Sequence, residues 1–282
     1  MAKIIDGKQI AKELKLEIIK KIEQIDKSEG RKPGIAIVKA NADSASESYT
    51  KSIVKVSDKL GIMAVRCDLG ENATENTIIE CIEALNNRTD IDGIIVQRPL
   101  PDNCSIHKVN SVIDPKKDID GVNPINLGFL MMGHKSFLPS TPRAVDYIME
   151  YENIDLTGKN VSVIGRSEIV GKPVGMLMLN RNATVRYCHS KTIDLKSVLL
   201  DSDVIIAATG VANLVTGDMV KKDAVVIDVG INFVDGKMVG DVEFESAEKN
   251  AGYITPVPGG VGSITTTMLM VNLMEAYDGH EN

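Results

Sequence analysis

The chain has 282 residues, 43% of them hydrophobic, and a formal net charge of −7. This length accommodates two α/β domains, or one large domain, with a substantial core, and the negative charge argues against non-specific binding to nucleic acid. We expect a cytoplasmic protein without membrane segments, because no apolar run approaches the roughly 18 residues of a membrane helix and the N-terminus lacks the apolar core of a signal peptide. The four cysteines and four histidines are scattered without ligand spacing, which predicts reduced thiols and no metal site.

The first half of the chain alternates between helical and strand patterns. GKQIAKELKLEIIKKIEQI has apolar residues at helical spacing, and PGIAIVKA reads as a short buried strand. SESYTKSIVKVSDKLG follows a polar loop whose serines can cap a helix. MAVRCDL, TENTIIECIEALNN and DGIIVQRPLPD then read as strand, helix and strand. This alternation predicts a mostly parallel sheet.

A second alternation follows an irregular stretch at residues 114–142, which we interpret as a crossing between domains. KNVSVIG, ATVRYCH, DVIIAAT and AVVIDVG are apolar strands separated by helical segments. Continuous Val/Ile runs of this kind are typical of strands that are covered on both faces. TPVPGGVGSITTTMLMVNLMEAY is a glycine-rich turn that leads into a terminal helix.

The stretch VSVIGRSEIVGKPVG places Gly165, Arg166 and Ser167 between a strand and a helix. Such a loop lets backbone N–H groups approach a pyrophosphate at a helix N-terminus. The pattern departs from G-x-G-x-x-G because Ser167 occupies the place of the second glycine, so a plain strand–helix turn is an alternative reading.

The end of the next strand bears on which dinucleotide would bind. NAD-specific sites place an acidic residue there, where it holds the ribose 2′-hydroxyl. This strand ends VRYCHSKT, without a carboxylate. Arg166, with Ser190 and Lys191, could instead meet a 2′-phosphate. The sequence therefore favours NADP over NAD as the cofactor.

Five segments occur in one order along nearly the whole chain: DGIIVQRPLP, KDIDGVNPIN, GRSEIVGKPVGMLMLNRNATVRYCHSKT, VIDVGIN and TPVPGGVGSIT. In these segments the chain resembles the bifunctional methylenetetrahydrofolate dehydrogenase/cyclohydrolase family. The resemblance implies an α/β fold of two domains with the active site in the cleft between them. We expect a folate-binding catalytic domain at residues 1–138, with the terminal helix 264–282 packing back on it, and a Rossmann-like NADP domain at residues 139–263. It also implies a homodimer.

The family oxidises 5,10-methylenetetrahydrofolate to the 5,10-methenyl cation with NADP and then hydrolyses the cation to 10-formyltetrahydrofolate, in one-carbon metabolism. By resemblance, Tyr49 stacks on the folate, and Gln97 and Asp120 line the reacting centre. The other residues implied are Pro99 and Leu100 for the pterin pocket, Gly259, Gly260 and Val261 for the cleft, and Gly165, Arg166, Ser167, Ser190 and Ile231 for the cofactor.

One position departs from the family pattern Tyr-x-x-x-Lys, in which the two side chains share a helical face. The residue four after Tyr49 is Ile53. Lys51 and Lys55 lie about 200° and about 240° around the helix from Tyr49, so neither is expected on its face. Arg98 is a second candidate, although neighbouring strand residues point to opposite faces and it should point away from the side that Gln97 takes.

The two reactions make different demands on this position. Hydride transfer requires mainly the positioning of two partners, whereas hydrolysis requires proton transfers for which a lysine is suited. We therefore predict an NADP-dependent dehydrogenase whose cyclohydrolase activity is lost or severely reduced. The loss of a cation should also raise the pKa of Asp120. Three alternatives remain open: a bifunctional enzyme in which Arg98 or water replaces the lysine, a folate- or nucleotide-binding protein without catalysis, and a dehydrogenase for another small substrate.

Overall fold

The computed structural model describes residues 2–28 and 30–281. Two compact units divide the chain. The six-stranded unit comprises Met1–Lys12 and Thr141–Met268, and the three-stranded unit comprises Glu13–Ser140 and Leu269–Asn282. In the described part of the chain, no helix combines the length and the apolar character needed to span a bilayer.

The strands and helices that the two alternations predict are present, together with short elements that they do not predict, among them a helix at Pro124–Met131 within the stretch expected to be irregular. In chain order they are β1 (Lys3–Ile4), α1 (Gly7–Lys27), β2 (Gly34–Lys39), α2 (Ser44–Leu60), β3 (Met63–Asp68), α3 (Glu75–Asn86), β4 (Gly93–Val96), α4 (Ile106–Val112), α5 (Pro124–Met131), α6 (Ser140–Tyr151), β5 (Asn160–Ile164), α7 (Gly171–Asn180), β6 (Thr184–Cys188), α8 (Leu195–Leu200), β7 (Val204–Ala207), β8 (Val225–Asp228), β9 (Asn232–Val234), β10 (Lys237–Val239), α9 (Phe244–Ala247), β11 (Tyr253–Ile254) and α10 (Val261–Glu281).

The three-stranded unit is built on a parallel sheet in the order β3-β2-β4. Ile35 and Ile37 of β2 pack on one face with Ile53 of α2 and the final turns of α10. Ala36 and Val38 pack on the opposite face with α3. Both faces are therefore covered, which explains why β2 is apolar at successive positions rather than at alternate ones.

The six-stranded unit is built on a parallel sheet in the order β1-β11-β8-β7-β5-β6. The chain leaves β5 for β6 on one side and then crosses to β7 on the other side. In open α/β sheets, ligands bind outside the carboxyl ends of the strands at such a switch point. The predicted two-domain α/β fold with a Rossmann-like second sheet is confirmed.

Residues 1–12 lie in the predicted folate-binding domain, whose boundaries stay a prediction. By its contacts this segment groups with the six-stranded unit. The reason is the pairing of β1 with β11, in which Lys3 lies beside Tyr253. A strand of two residues that pairs across about 250 positions leaves no periodic signal in the sequence. Near the other end of the chain, α10 changes unit between Met268 and Leu269.

Candidate active site

Helix α2 carries Tyr49 and Ile53, on which the predicted loss of hydrolysis depends. Asp43 caps the helix by accepting a hydrogen bond from the Ser46 N–H at 2.7 Å, and Gly61 ends it at φ 78°. The buried positions of the helix are Ser46, Thr50, Ile53, Ser57 and Leu60. Their spacing of three and four residues is that of a single helical face packed on the sheet.

Ile53 belongs to the hydrophobic core of the three-stranded unit. Its side chain is 0% exposed and packs in a cluster with Ile37, Ile95 and Ile119. Tyr49, one turn earlier, is 36% exposed. Lys51 and Lys55 are exposed, and Lys51 pairs with Glu47 at 3.5 Å. Lys59, the third lysine of α2, is exposed as well, so none of the three lies at the position at which Ile53 is buried.

Gln97 lies at the carboxyl end of β4 and is almost completely buried. Its N–H donates to the Val38 carbonyl at 2.8 Å, a bond of the last pair in the β2–β4 ladder. That pair joins Val38 with Val96, so Lys39 and Gln97 are the residues that follow it on the two strands. Side chains alternate between the faces of a strand, which places Lys39 on the face of Ile37, towards α2.

The Lys39 side chain is only 11% exposed. Its ammonium donates to the Asn41 carbonyl at 2.7 Å and lies 3.5 Å from the Glu47 carboxylate. The Asn41 amide donates in turn to the Pro99 carbonyl at 2.8 Å. A cation that the sequence analysis missed is thus tied to the turn that follows Gln97. A lysine at the end of the otherwise apolar run GIAIVK was the available signal.

Asp120 follows a single parallel bridge between Ile94 and Asp118. Its carboxylate accepts a hydrogen bond from the Ser140 hydroxyl at 3.2 Å. Burial, with a smaller contribution from the charge of Asp118, raises the pKa of Asp120 to about 7, against the opposing effects of Ser140 and Arg98. The direction is the one expected, but its main cause is burial. Arg98, although exposed, is close enough for its charge to act on this carboxyl.

The remaining residues implied for the folate pocket have structural neighbours of their own. Pro99 is exposed, and Leu100 is partly buried against the α3-side cluster. In the six-stranded unit, a Cβ on Gly260 would lie 2.5 Å from the Pro256 carbonyl oxygen, so only glycine fits there. Val261 is buried at the start of α10.

The loop after β5, for which the sequence predicts a dinucleotide cradle, lies at the switch point of the six-stranded sheet. The Gly165 N–H donates to the Cys188 carbonyl at 2.8 Å, which joins the carboxyl ends of β5 and β6. Gly165 has φ 120°, and a Cβ there would lie 2.2 Å from the Ala208 carbonyl oxygen. Gly171 approaches the same loop so closely that a Cβ would lie 2.4 Å from the Gly165 carbonyl oxygen. A side chain at either position would fill the cradle.

The groups around this cradle suit a phosphorylated dinucleotide. The Ser167 hydroxyl accepts a hydrogen bond from the Gly171 N–H at 3.2 Å, and no side chain caps α7 at Val170. The positive end of α7 therefore lies at the cradle, where a pyrophosphate binds in such folds. Arg166 and Ser190, both exposed, follow the paired strand ends Ile164 and Cys188.

The loop after β8 carries Ile231, which is 57% exposed. Two buried carboxylates, Asp228 and Asp241, accept hydrogen bonds from this loop and from the start of β9. Neither was identified from the sequence. Asp228 accepts a hydrogen bond from the Gly230 N–H at 2.9 Å. Asp241 accepts one from the Asn232 side-chain amide at 2.9 Å. An acidic residue that ends the buried run AVVID was the signal for the first of them.

The fold and these groups define a class of protein: a two-unit α/β protein with a dinucleotide-type cradle on one sheet and a glutamine–aspartate site on the other. Residues 5–120 match the tetrahydrofolate dehydrogenase/cyclohydrolase catalytic domain, and residues 139–281 match the NAD(P)-binding domain of the same family. The chain belongs to this family, which confirms the resemblance found in the sequence.

Individual relatives agree with the family assignment. The bifunctional protein FolD of Exiguobacterium sibiricum is 46% identical over 276 residues, which cover 98% of this chain and 99% of that protein. The FolD structure from Campylobacter jejuni is 40% identical with a TM-score of 0.97, covering 99% of each chain. FolD of Trypanosoma brucei, solved with NADP and an inhibitor, is 33% identical with a TM-score of 0.94, covering 99% of this chain and 98% of that one.

The structure groups the residues by unit. Tyr49, Gln97, Pro99, Leu100 and Asp120 lie in the three-stranded unit. The residues of the six-stranded unit are Gly165, Arg166, Ser167, Ser190, Ile231, Gly259, Gly260 and Val261. The Arg98–Asp120 interaction and the position of Lys39 next to the last β2–β4 pair depend on how the turn and the strand register place the chain. Spacing along the sequence does not specify either.

Proposed function

We propose that this protein oxidises 5,10-methylenetetrahydrofolate to 5,10-methenyltetrahydrofolate with NADP, and that its hydrolysis of the methenyl form is lost or severely reduced. The observation that carries the second part is Ile53, a fully buried core residue at the position where the family pattern has lysine. A homodimer and a cytoplasmic location remain predictions. For the former, we note that the β9–β10 hairpin exposes Phe233, Val234 and Met238.

Oxidation needs few chemical groups from the chain. NADP, when bound, supplies the hydride acceptor, and the substrate nitrogens help to expel the hydride. Tyr49, partly exposed beside the buried face of α2, would hold the folate ring by stacking. The nearly buried Gln97 amide would fix its orientation by hydrogen bonding. The task of these residues is positioning, and the replacement at position 53 leaves both of them in place.

The choice of NADP is supported by the end of β6. No carboxylate occurs from Thr184 to Ile193, so nothing there would repel a 2′-phosphate or hold a free 2′-hydroxyl. The Arg166 guanidinium can donate two parallel hydrogen bonds to a phosphate. Gly165, Gly171 and the N-terminus of α7 would hold the pyrophosphate.

Hydrolysis makes a demand that isoleucine does not meet. Water must attack the methenyl carbon, and a proton must then move to a ring nitrogen as the ring opens. General acid–base catalysis of such a step contributes typically about 10²–10⁴-fold. Ile53 neither donates nor accepts a proton. Asp120, with its pKa raised to about 7, is the carboxyl group among the implied site residues.

A bifunctional enzyme is the second candidate, and one observation favours it. Arg98 lies close enough to Asp120 to lower the pKa of that carboxyl, so a cation does act on this part of the site. The nearly buried Lys39 beside Gln97 is a further cation that could serve in place of the lysine.

The two candidates are separated by measuring both reactions on the purified protein. NADP reduction with 5,10-methylenetetrahydrofolate measures oxidation, and loss of the methenyl absorbance measures hydrolysis against a protein-free control. We expect oxidation without hydrolysis above the spontaneous rate. Robust hydrolysis would refute the proposed loss, and failure of both reactions would refute the dehydrogenase.

A further inference from the structure

The carboxyl ends of β7 and β8 form the half of the dinucleotide edge that lies across the switch point from the Gly165 cradle. Because a dinucleotide lies across the switch point, one of its halves faces the Gly165 cradle and the other faces these two ends. The loop after β7 exposes Val211 and the loop after β8 exposes Ile231, which are 52% and 57% exposed. Each loop therefore presents one branched apolar side chain, and the flat ring of a nicotinamide could pack against side chains of this kind.

Both loops are anchored to one carboxylate. Asp241 is 0% exposed and lies in the chain segment that returns from β10. Its Oδ2 accepts hydrogen bonds from the Thr209 N–H, from the Thr209 hydroxyl at 2.9 Å and from the Gly210 N–H at 3.0 Å. Its Oδ1 accepts from the Asn232 amide at 2.9 Å. The loop after β7, and Asn232 at the start of β9 directly after the Ile231 loop, thus share the two oxygens of a single side chain.

A second carboxylate fixes Asp241 itself. Asp228, which ends β8, accepts hydrogen bonds from the N–H groups of Asp241 at 3.0 Å and Val242 at 2.9 Å. The Gly230 backbone packs tightly against Asp241, since a Cβ on Gly230 would lie 2.0 Å from Asp241 Oδ1. Burial raises the pKa of Asp228 to about 6. Burying two carboxylates in this way destabilises the folded state unless all of their hydrogen bonds are made.

From this geometry we propose that Asp241 is a positioning residue of the cofactor site, which sets the spacing of the Val211 and Ile231 loops around the nicotinamide end of the dinucleotide. This inference rests on the proposed function only in taking NADP as the ligand. Asp241 does not reach the ligand itself, because its oxygens are occupied by the loops. Its removal should therefore loosen both loops and weaken cofactor binding, while the three-stranded unit keeps its affinity for folate.

The test compares Asp241→Ala with Asp241→Asn in the full chain. Binding of NADP and of a folate analogue is measured separately by calorimetric titration, and amide hydrogen exchange is followed at residues 209–210 and 230–232 without ligands. We expect Asp241→Ala to raise the dissociation constant for NADP about tenfold, and Asp241→Asn, which keeps one acceptor oxygen, about threefold. Exchange at both loops should accelerate, and folate binding should stay within twofold.

Equal loss of both affinities, or unchanged NADP binding in folded Asp241→Ala, would overturn the proposal. If that variant fails to fold, Asn232→Ala removes one donor and leaves the carboxylate with three. It should then raise the NADP dissociation constant about threefold and speed exchange at residues 230–232; no change would overturn the inference. Wild-type protein that binds no NADP would refute the proposed function instead, so the two failures are distinguishable.

Discussion

Replacing Ile53 with lysine is the perturbation that addresses the missing cation directly. Side chains on a helix lean towards its N-terminus, so the new ammonium would extend from the core towards Tyr49, one turn earlier and 36% exposed. We expect methenyl hydrolysis to rise, with an upper range of about 10²–10⁴-fold. Desolvation would lower the pKa of the new amine, which favours proton transfer near neutral pH.

The same change destabilises the three-stranded unit. Ile53 is 0% exposed, and burial of an isoleucine side chain contributes about 1.5–3 kcal/mol. The aliphatic part of a lysine recovers some of this contact, while its charge adds a desolvation penalty. We expect a net loss of about 2–3 kcal/mol, which lowers the melting temperature by roughly 4–12 °C for a unit of this size.

The control is Ile53→Met, which has a flexible apolar side chain without charge. Both variants are assayed for hydrolysis and for NADP-dependent oxidation, and both are unfolded thermally. Hydrolysis should rise in Ile53→Lys alone, and the change in oxidation should be smaller than that rise in both variants. A folded Ile53→Lys protein with no gain over Ile53→Met would refute the reasoning that position 53 limits hydrolysis.

Three further predictions concern the charged groups. The folded-state pKa of Asp120 is about 7, above its ordinary value of 3.8, so the ionised carboxylate destabilises the fold. From pH 5 to pH 8, the free energy of unfolding of the wild type in urea should fall by about 2–3 kcal/mol relative to that of Asp120→Asn. Parallel pH dependences of the two proteins would contradict this pKa. Arg166→Leu should raise the KM for NADP about tenfold, through the loss of charge-assisted hydrogen bonds, and leave the KM for NAD within twofold; equal changes would contradict phosphate recognition. If the wild type does hydrolyse the methenyl form, Arg98→Met or Lys39→Met should reduce that rate at least tenfold, and hydrolysis unchanged in both would leave water as the replacement.

The sequence allowed the alternation of strands and helices to be predicted, because buried parallel strands require continuous Val/Ile runs and amphipathic helices require their own period. It did not reveal β1, whose two residues are stabilised by β11 across the whole chain. The glycine cradle was also predictable, since the contacts of Gly165 and Gly171 exclude any side chain.

The roles of Lys39 and Asp241 depend on information that the sequence does not express locally. Lys39 becomes relevant only through the register that pairs Val38 with Val96 and so places it beside Gln97. Asp241 becomes relevant only because the chain returns from β10 and places its carboxylate where it accepts hydrogen bonds from Gly210 and Asn232. Strand register and the return of a hairpin are tertiary properties, and single-sequence patterns specify neither of them.

In the proposed function, position 53 separates two kinds of catalytic demand within one protein. Transfer of a hydride depends on distance and orientation, which the partly exposed Tyr49, the buried Gln97 and the cradle at Gly165 would set. Hydrolysis depends on a group that changes its protonation state at the reacting centre, and an isoleucine packed among Ile37, Ile95 and Ile119 has none to change. By the proposed mechanism, a single apolar residue at position 53 would therefore leave one activity nearly intact and remove the other, because the core accommodates isoleucine without displacing the residues proposed to position the substrate.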